Sequence, residues 1–110
     1  MRRKNQIEES TGNVFKDLAL EDAEERLIKA DLSSAIAKVI EHRKFKNQSE
    51  VARCLGIDQP KVSKLLRGHF SEYSVERLMG FLLRLGHDVE IKIGKRTKSH
   101  RLGHAYVMMA

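Results

Sequence analysis

Apolar positions recur at helical intervals through most of the chain and then switch to strict alternation. From Asp22 to about Lys44, the residues Leu27, Ile28, Leu32, Ala35, Ile36, Val39 and Ile40 fall three or four apart, which predicts one long amphipathic helix. Asp22 and Glu25 have the spacing of an N-cap and its reciprocal partner, and His42, Arg43 and Lys44 suit the negative C-terminal end. Two short helical blocks follow, one carrying Val51, Ala52 and Leu55, the other Val62, Leu65 and Leu66, with Gly56 and Ile57 between them. A fourth block holds Val75, Leu78, Met79, Phe81, Leu82 and Leu85. Ser74 is placed to cap it, Tyr73 and Leu78 to staple its first turn, and Gly86 to end it. Gly80 inside it costs about 1 kcal/mol relative to alanine, and close packing at that point is one explanation. After Gly86, Asp88, Glu90 and Lys92 alternate with Val89, Ile91 and Ile93, a strand pattern. A basic turn from Gly94 to Gly103 leads to a weaker second strand at Ala105, Tyr106, Val107 and Met108. A lone strand cannot satisfy its own backbone, so either the two form a hairpin or the first meets its counterpart in another subunit.

The segment from Gln48 to Arg67, QSEVARCLGIDQPKVSKLLR, carries the most chemistry. Ala52 is small enough for two short helices to cross closely, and Gly56 falls at the turn, where a positive φ is needed. Asp58 is placed to cap the second helix, Pro60 is tolerated in its first turn, and Gly68 ends it. With Val62, Leu65 and Leu66 turned inward, Gln59, Pro60, Ser63, Lys64 and Arg67 form the outward face. Glutamine matches the donor and acceptor pair of adenine, lysine and arginine match guanine or phosphate, and serine is permissive. A generic helical hairpin would share the apolar spacing, but not the conjunction of small residue, turn glycine and polar face. The leading expectation is sequence-specific binding of double-stranded DNA.

These residues resemble the Cro and phage-repressor type of helix-turn-helix, also called the xenobiotic-response-element (XRE) family, in which a glutamine opens each motif helix. Gln48 and Gln59 hold those places. The resemblance implies that the first anchors on phosphate and braces the second, which reads a base. Leu66 stands where an acidic residue is commoner, and Pro60 where a small polar one is. The implied fold is mainly α: a lambda-repressor-like helix-turn-helix bundle of four to five helices with one or two short C-terminal β-strands. It divides the chain into an arm and docking segment (1–20), a DNA-binding domain (21–87) and a C-terminal strand region with a basic tail (88–110). In the implied binding mode Gln59, Lys61, Ser63 and Lys64 approach base edges, while Gln48, Arg53, Arg67, His69 and Ser71 hold phosphates. Such readers act as two-fold dimers on palindromic operators, with recognition helices about 34 Å apart. Val89, Ile91 and Ile93, with helix 74–85, are the expected homodimer contact.

Residues 1–12 are polar and read as a mobile arm, while Val14, Phe15, Leu18 and Leu20 could dock a short turn or helix on the core or on a partner. From about residue 12 to 93, GNVFKDLALEDAEERLIKADL and the later LLRLGHDVEIKI also resemble HigA-like antitoxins of bacterial toxin–antitoxin operons. That resemblance implies a small basic RelE/HigB-like toxin that cleaves mRNA on the ribosome, together with repression of the chain's own operon. The candidate toxin contact combines Val14, Phe15 and Leu18 with Glu21, Asp22, Glu24 and Glu25, near Asp31, although acids in a first turn also stabilise the helix by themselves. The alternative is a stand-alone XRE-family regulator with no toxin partner.

Charge sharpens the picture. The 110 residues carry a net charge of +6, and the basic side chains concentrate in residues 43–69 and at both chain ends, the footprint expected for phosphate binding. The length suits one small domain that buries roughly 60 to 70% of its unfolded surface. A single cysteine, Cys54, excludes an internal disulfide and reads as a small helix residue. No apolar run has membrane-spanning length and no signal peptide is visible, so a cytoplasmic protein is expected. His42, His69, His87, His100 and His104 are scattered, with no metal-binding repeat, nucleophile elbow or phosphate-cradling loop. Neither an enzyme nor a cofactor is expected.

Overall fold

Four helices run through the described residues of the computed structural model, which are 22–95 and 103–109. They are α1 (Asp22–Arg43), α2 (Gln48–Leu55), α3 (Gln59–Leu66) and α4 (Val75–Arg84). The arm and the docking segment with Val14, Phe15, Leu18 and Glu21 lie outside the described residues.

The stripe foreseen on α1 is buried at Ile28, Leu32, Ala35, Ile36, Val39 and Ile40. Leu27 is the exception, at 60% exposed. It is a neighbour of Ile28, and one residue along a helix turns a side chain through about 100°, off the stripe. Asp22 also differs from expectation: it is the first residue of the helix rather than its cap, so its charge acts on the helix dipole from within the first turn. At the other end Arg43 closes α1, and Lys44 takes a left-handed φ of 57° that redirects the chain toward α2.

Helix α1 packs chiefly along α4, and α2 packs chiefly on α3. Ile36, Leu55, Val62, Leu78 and Phe81 are the largest fully buried side chains and bring all four helices onto one core. Ser74 caps α4 as expected, its Oγ accepting the Arg77 N–H at 3.0 Å. Tyr73 and Leu78 are both buried beside that first turn, and Tyr73 meets Phe81 edge to face at 5.3 Å. The α4 C-terminus is closed by Gly86 N–H to Leu83 O and His87 N–H to Leu82 O, each 3.0 Å, the paired bonds of a Schellman cap. Close packing within the described residues does not account for Gly80, because none of them outside its own helix lies within 4 Å of where a Cβ would stand.

Neither C-terminal strand is present among the described residues. Residues 87–95 and 103–109 contain no ladder, although the alternating sequence is there. Extended backbone becomes a strand only when a second edge supplies its hydrogen bonds. Val89 lies half-buried against the chain's own core, while Ile91 and Ile93 are 73% and 88% exposed; the three do not form one uniform face. Val107 also packs on the core, and the Ala105 N–H donates to Glu24 Oε2 at 2.9 Å. Among the described residues no helix is long and apolar enough to cross a membrane.

Candidate nucleic-acid interface

Helices α2 and α3 make the candidate interface, and the turn between them sets its geometry. The carbonyl of Ala52 accepts from Gly56 N–H at 2.8 Å and Ile57 N–H at 3.1 Å, which closes α2 and fixes where α3 starts. Gly56 has φ 75°, a conformation costly to any residue with a Cβ. The Arg84 guanidinium of α4 lies 3.6 Å from where that Cβ would sit, an ordinary contact distance, so the backbone conformation rather than crowding selects glycine. Ala52 is buried as expected, alongside Val51 and Leu55.

Asn47, which the sequence reading passed over, caps α2: its Oδ1 accepts the Glu50 N–H at 3.0 Å, and Glu50 Oε1 accepts the Lys46 N–H at 2.9 Å. The signal was present as Asn followed three residues later by Glu, immediately ahead of the apolar spacing. Asp58 stands at the N-cap of α3 but makes no side-chain bond there; its carbonyl instead accepts from Lys61 and Val62 N–H at 3.0 and 3.1 Å. Pro60 sits in the first turn, where the missing amide has no intrahelical partner to lose. At the far end Gly68 N–H bonds Leu65 O and His69 N–H bonds Lys64 O, both at 3.0 Å. Helix α3 is thus short and closed at its C-terminus.

Val62 and Leu65 anchor α3 in the core, with Leu66 half-buried. The opposite face is open: Gln59, Pro60, Lys61, Lys64 and Arg67 are exposed and Ser63 is half-exposed. Arg67 Nη1 donates to Ser63 Oγ at 2.7 Å, so two of the polar groups on this face are held as a pair, and the guanidinium is fixed over the last turn. Among the expected phosphate ligands, Gln48 opens α2, Arg53 lies on its outer side, and His69 and Ser71 lie in the loop after α3; all four are exposed. Gln48 and Gln59 share no hydrogen bond among those found in the described residues. Lys61, Lys64 and Arg67 add three positive charges to a helix that has no acid in its first turn, an arrangement that attracts a polyanion and lacks an internal counter-charge.

The acids of the candidate protein contact are partly engaged already. Glu25 pairs with Lys29 at 3.7 Å. The Glu24 carboxylate holds Ala105 N–H and lies 3.6 Å from His104 Nδ1. Asp22 is exposed, and Val14, Phe15, Leu18 and Glu21 fall outside the described residues. No group of three or more His, Cys, Asp or Glu side chains among the described residues could hold a metal ion.

Comparison with known proteins agrees with this geometry. A family model described as a helix-turn-helix domain matches residues 14–94. A solved structure, provisionally described as an XRE-family transcriptional regulator, is 42% identical, with a TM-score of 0.75 over 82% of this chain and 100% of its own. No curated protein matches the chain.

Proposed function

Because the chain belongs to the XRE family of helix-turn-helix proteins, we propose that it is a transcriptional regulator that binds a palindromic DNA operator as a homodimer in the cytoplasm. The observation that carries this reading is the bare outward face of α3, with Gln59, Lys61, Lys64 and Arg67 exposed while Val62 and Leu65 are sealed in the core. In this reading Gln59, Lys61, Ser63 and Lys64 meet base edges in the major groove. Gln48, Arg53, Arg67, His69 and Ser71 hold the phosphates on either side. In the same reading the Arg67–Ser63 pair sits where the two tasks meet, with Arg67 serving the backbone and Gln59, at the leading end, the bases.

The test is fluorescence anisotropy on a duplex selected from a random pool, with single-base variants. Gln59→Ala is expected to lose about 1 to 3 kcal/mol and to relax preference at one position. Arg67→Ala is expected to weaken all sequences alike. If Gln59→Ala leaves the pattern of preferences intact, α3 does not read bases as described.

A second role, as a HigA-like antitoxin for a small basic RelE/HigB-like toxin, is supported by one feature of α1. Leu27 is exposed three residues after Glu24 and four before Asp31, an apolar contact framed by acids and suited to a basic protein surface. Leu27→Asp is expected to abolish rescue from a co-expressed neighbouring toxin gene without changing DNA affinity. If no adjacent gene product is toxic, the stand-alone regulator remains.

A further inference from the structure

One arginine spans the corner at which the chain leaves its long helix for the helix-turn-helix. Helices α2 and α3 pack mainly on each other and more lightly on α1 and α4, so their tilt depends on what ties them to that scaffold. The corner itself is short. Arg43 ends α1, Lys44 takes the left-handed turn, Phe45 packs half-buried against the core, and Asn47 caps α2. Beside it lies an open hollow of about 330 Å³, lined by Arg43, Lys44, Phe45, Glu50, Arg53 and Cys54. Apolar packing therefore does not fix the approach of α2 on that side.

Arg43 crosses the corner instead. Its guanidinium lies 4.6 Å from the centre of the Phe45 ring, and its Nη1 donates to the Leu85 carbonyl, just past α4, at 3.3 Å. A cation at that carbonyl also answers the negative end of α4. The planar group is thus held on a face and along an edge, and it joins α1, the connection and the end of α4. Beyond Phe45, the Lys46 N–H is held by Glu50 and the Glu50 N–H by Asn47. A shift of Phe45 is therefore passed directly to the first turn of α2, where Gln48 stands.

We propose that Arg43 is a positioning residue for DNA binding. It sets the angle of α2, and through the hydrogen-bonded turn at Ala52 and Gly56 that of α3, without itself touching DNA. The proposal rests on the operator-binding reading and adds to it a residue outside the helix-turn-helix.

Anisotropy titrations of the full chain on the selected duplex, over a series of salt concentrations, test it at a temperature where circular dichroism shows every variant folded. Arg43→Ala is expected to weaken binding about tenfold on all duplexes alike and to leave the salt slope unchanged, because no phosphate contact is lost. Arg43→Lys should fall nearly as far, since it keeps the charge and loses the planar group. Phe45→Leu should match Arg43→Ala, and the two together should lose little more than either alone, because they remove one shared contact. An Arg43→Ala affinity within about twofold of wild type would overturn the proposal. So would fully additive losses in the double variant, or a slope reduced by about 1 with recovery in Arg43→Lys, which is the behaviour of a phosphate ligand. Amide exchange without DNA separates the two readings. Faster exchange at Lys46 and Glu50 in Arg43→Ala, in a chain that selects no duplex, would refute operator binding and keep the tie between α1, α2 and α4. A chain that selects a duplex and is indifferent to Arg43 in both measurements would do the reverse.

Discussion

The Tyr73 hydroxyl is the buried side-chain polar atom without a hydrogen-bond partner among the described residues. Its ring is well used against Phe81, but the oxygen has lost water and meets no partner in good hydrogen-bonding geometry, Glu72 lying near enough to act on its ionisation without satisfying it. Tyr73→Phe is therefore expected to leave stability unchanged or raise it by up to about 1 kcal/mol in urea denaturation, where a buried, bonded tyrosine would lose stability. Burial, followed by the nearby Glu72 charge, raises the phenol's pKa above its ordinary value of 10.0, against a smaller lowering by Arg77. The neutral form is thus favoured in the folded chain, and this contribution is complete below pH 10 and declines as the unfolded phenol ionises above it. Tyr73→Phe should remove that part of the alkaline loss. At this scale the sequence was most legible where one atom decides the outcome: Gly56 needed a positive φ, and Ala52 a small side chain. It was least legible at Leu27, Asp58 and Gly80, whose types permit burial, capping and close packing without compelling them.

Helix ends show the same division between what a residue can do and what its neighbours let it do. Asn47 and Asp58 are both competent N-caps, yet only Asn47 makes the side-chain bond. Asn47→Ala should cost about 1 kcal/mol in thermal unfolding, and Asp58→Ala less than about 0.5 kcal/mol, since only a charge near the α3 N-terminus is lost. Equal costs would contradict the difference in geometry. The extents of α2, α3 and α4 could be read from apolar spacing bounded by caps and glycines, because those signals are local. The strand pattern after Gly86 was real but insufficient: alternation specifies extended backbone, while a ladder depends on an edge that spacing within one chain does not identify. Val89 shows the consequence, taken by the chain's own core while Ile91 and Ile93 remain bare.

Among the described residues, charge rather than shape marks out the side proposed to meet DNA. Lys61, Lys64 and Arg67 stand on α3, and the acids crowd the first turn of α1. DNA affinity should fall steeply and linearly on a log–log plot against salt, and Arg67→Ala should reduce the slope by about 1. An unchanged slope would place Arg67 away from phosphate. The helix-turn-helix was legible from the sequence because its parts are contiguous. The contact between Ala105 and Glu24 was not, since the two are 81 residues apart and one of the partners is a backbone N–H.

Cys54, the chain's single cysteine, half-buried on α2, directs its Sγ to the Arg84 carbonyl at 3.4 Å. A thiol there is a built-in gauge of whether the last turn of α4 is seated. Its reaction with a water-soluble disulfide reagent should be slow, and should quicken in proportion to the fraction of time that α4 lifts away. Modification rate, followed with no engineered label, then reads the opening of the scaffold behind the helix-turn-helix. A rate equal to that of an unstructured peptide thiol would mean that the seat is empty most of the time.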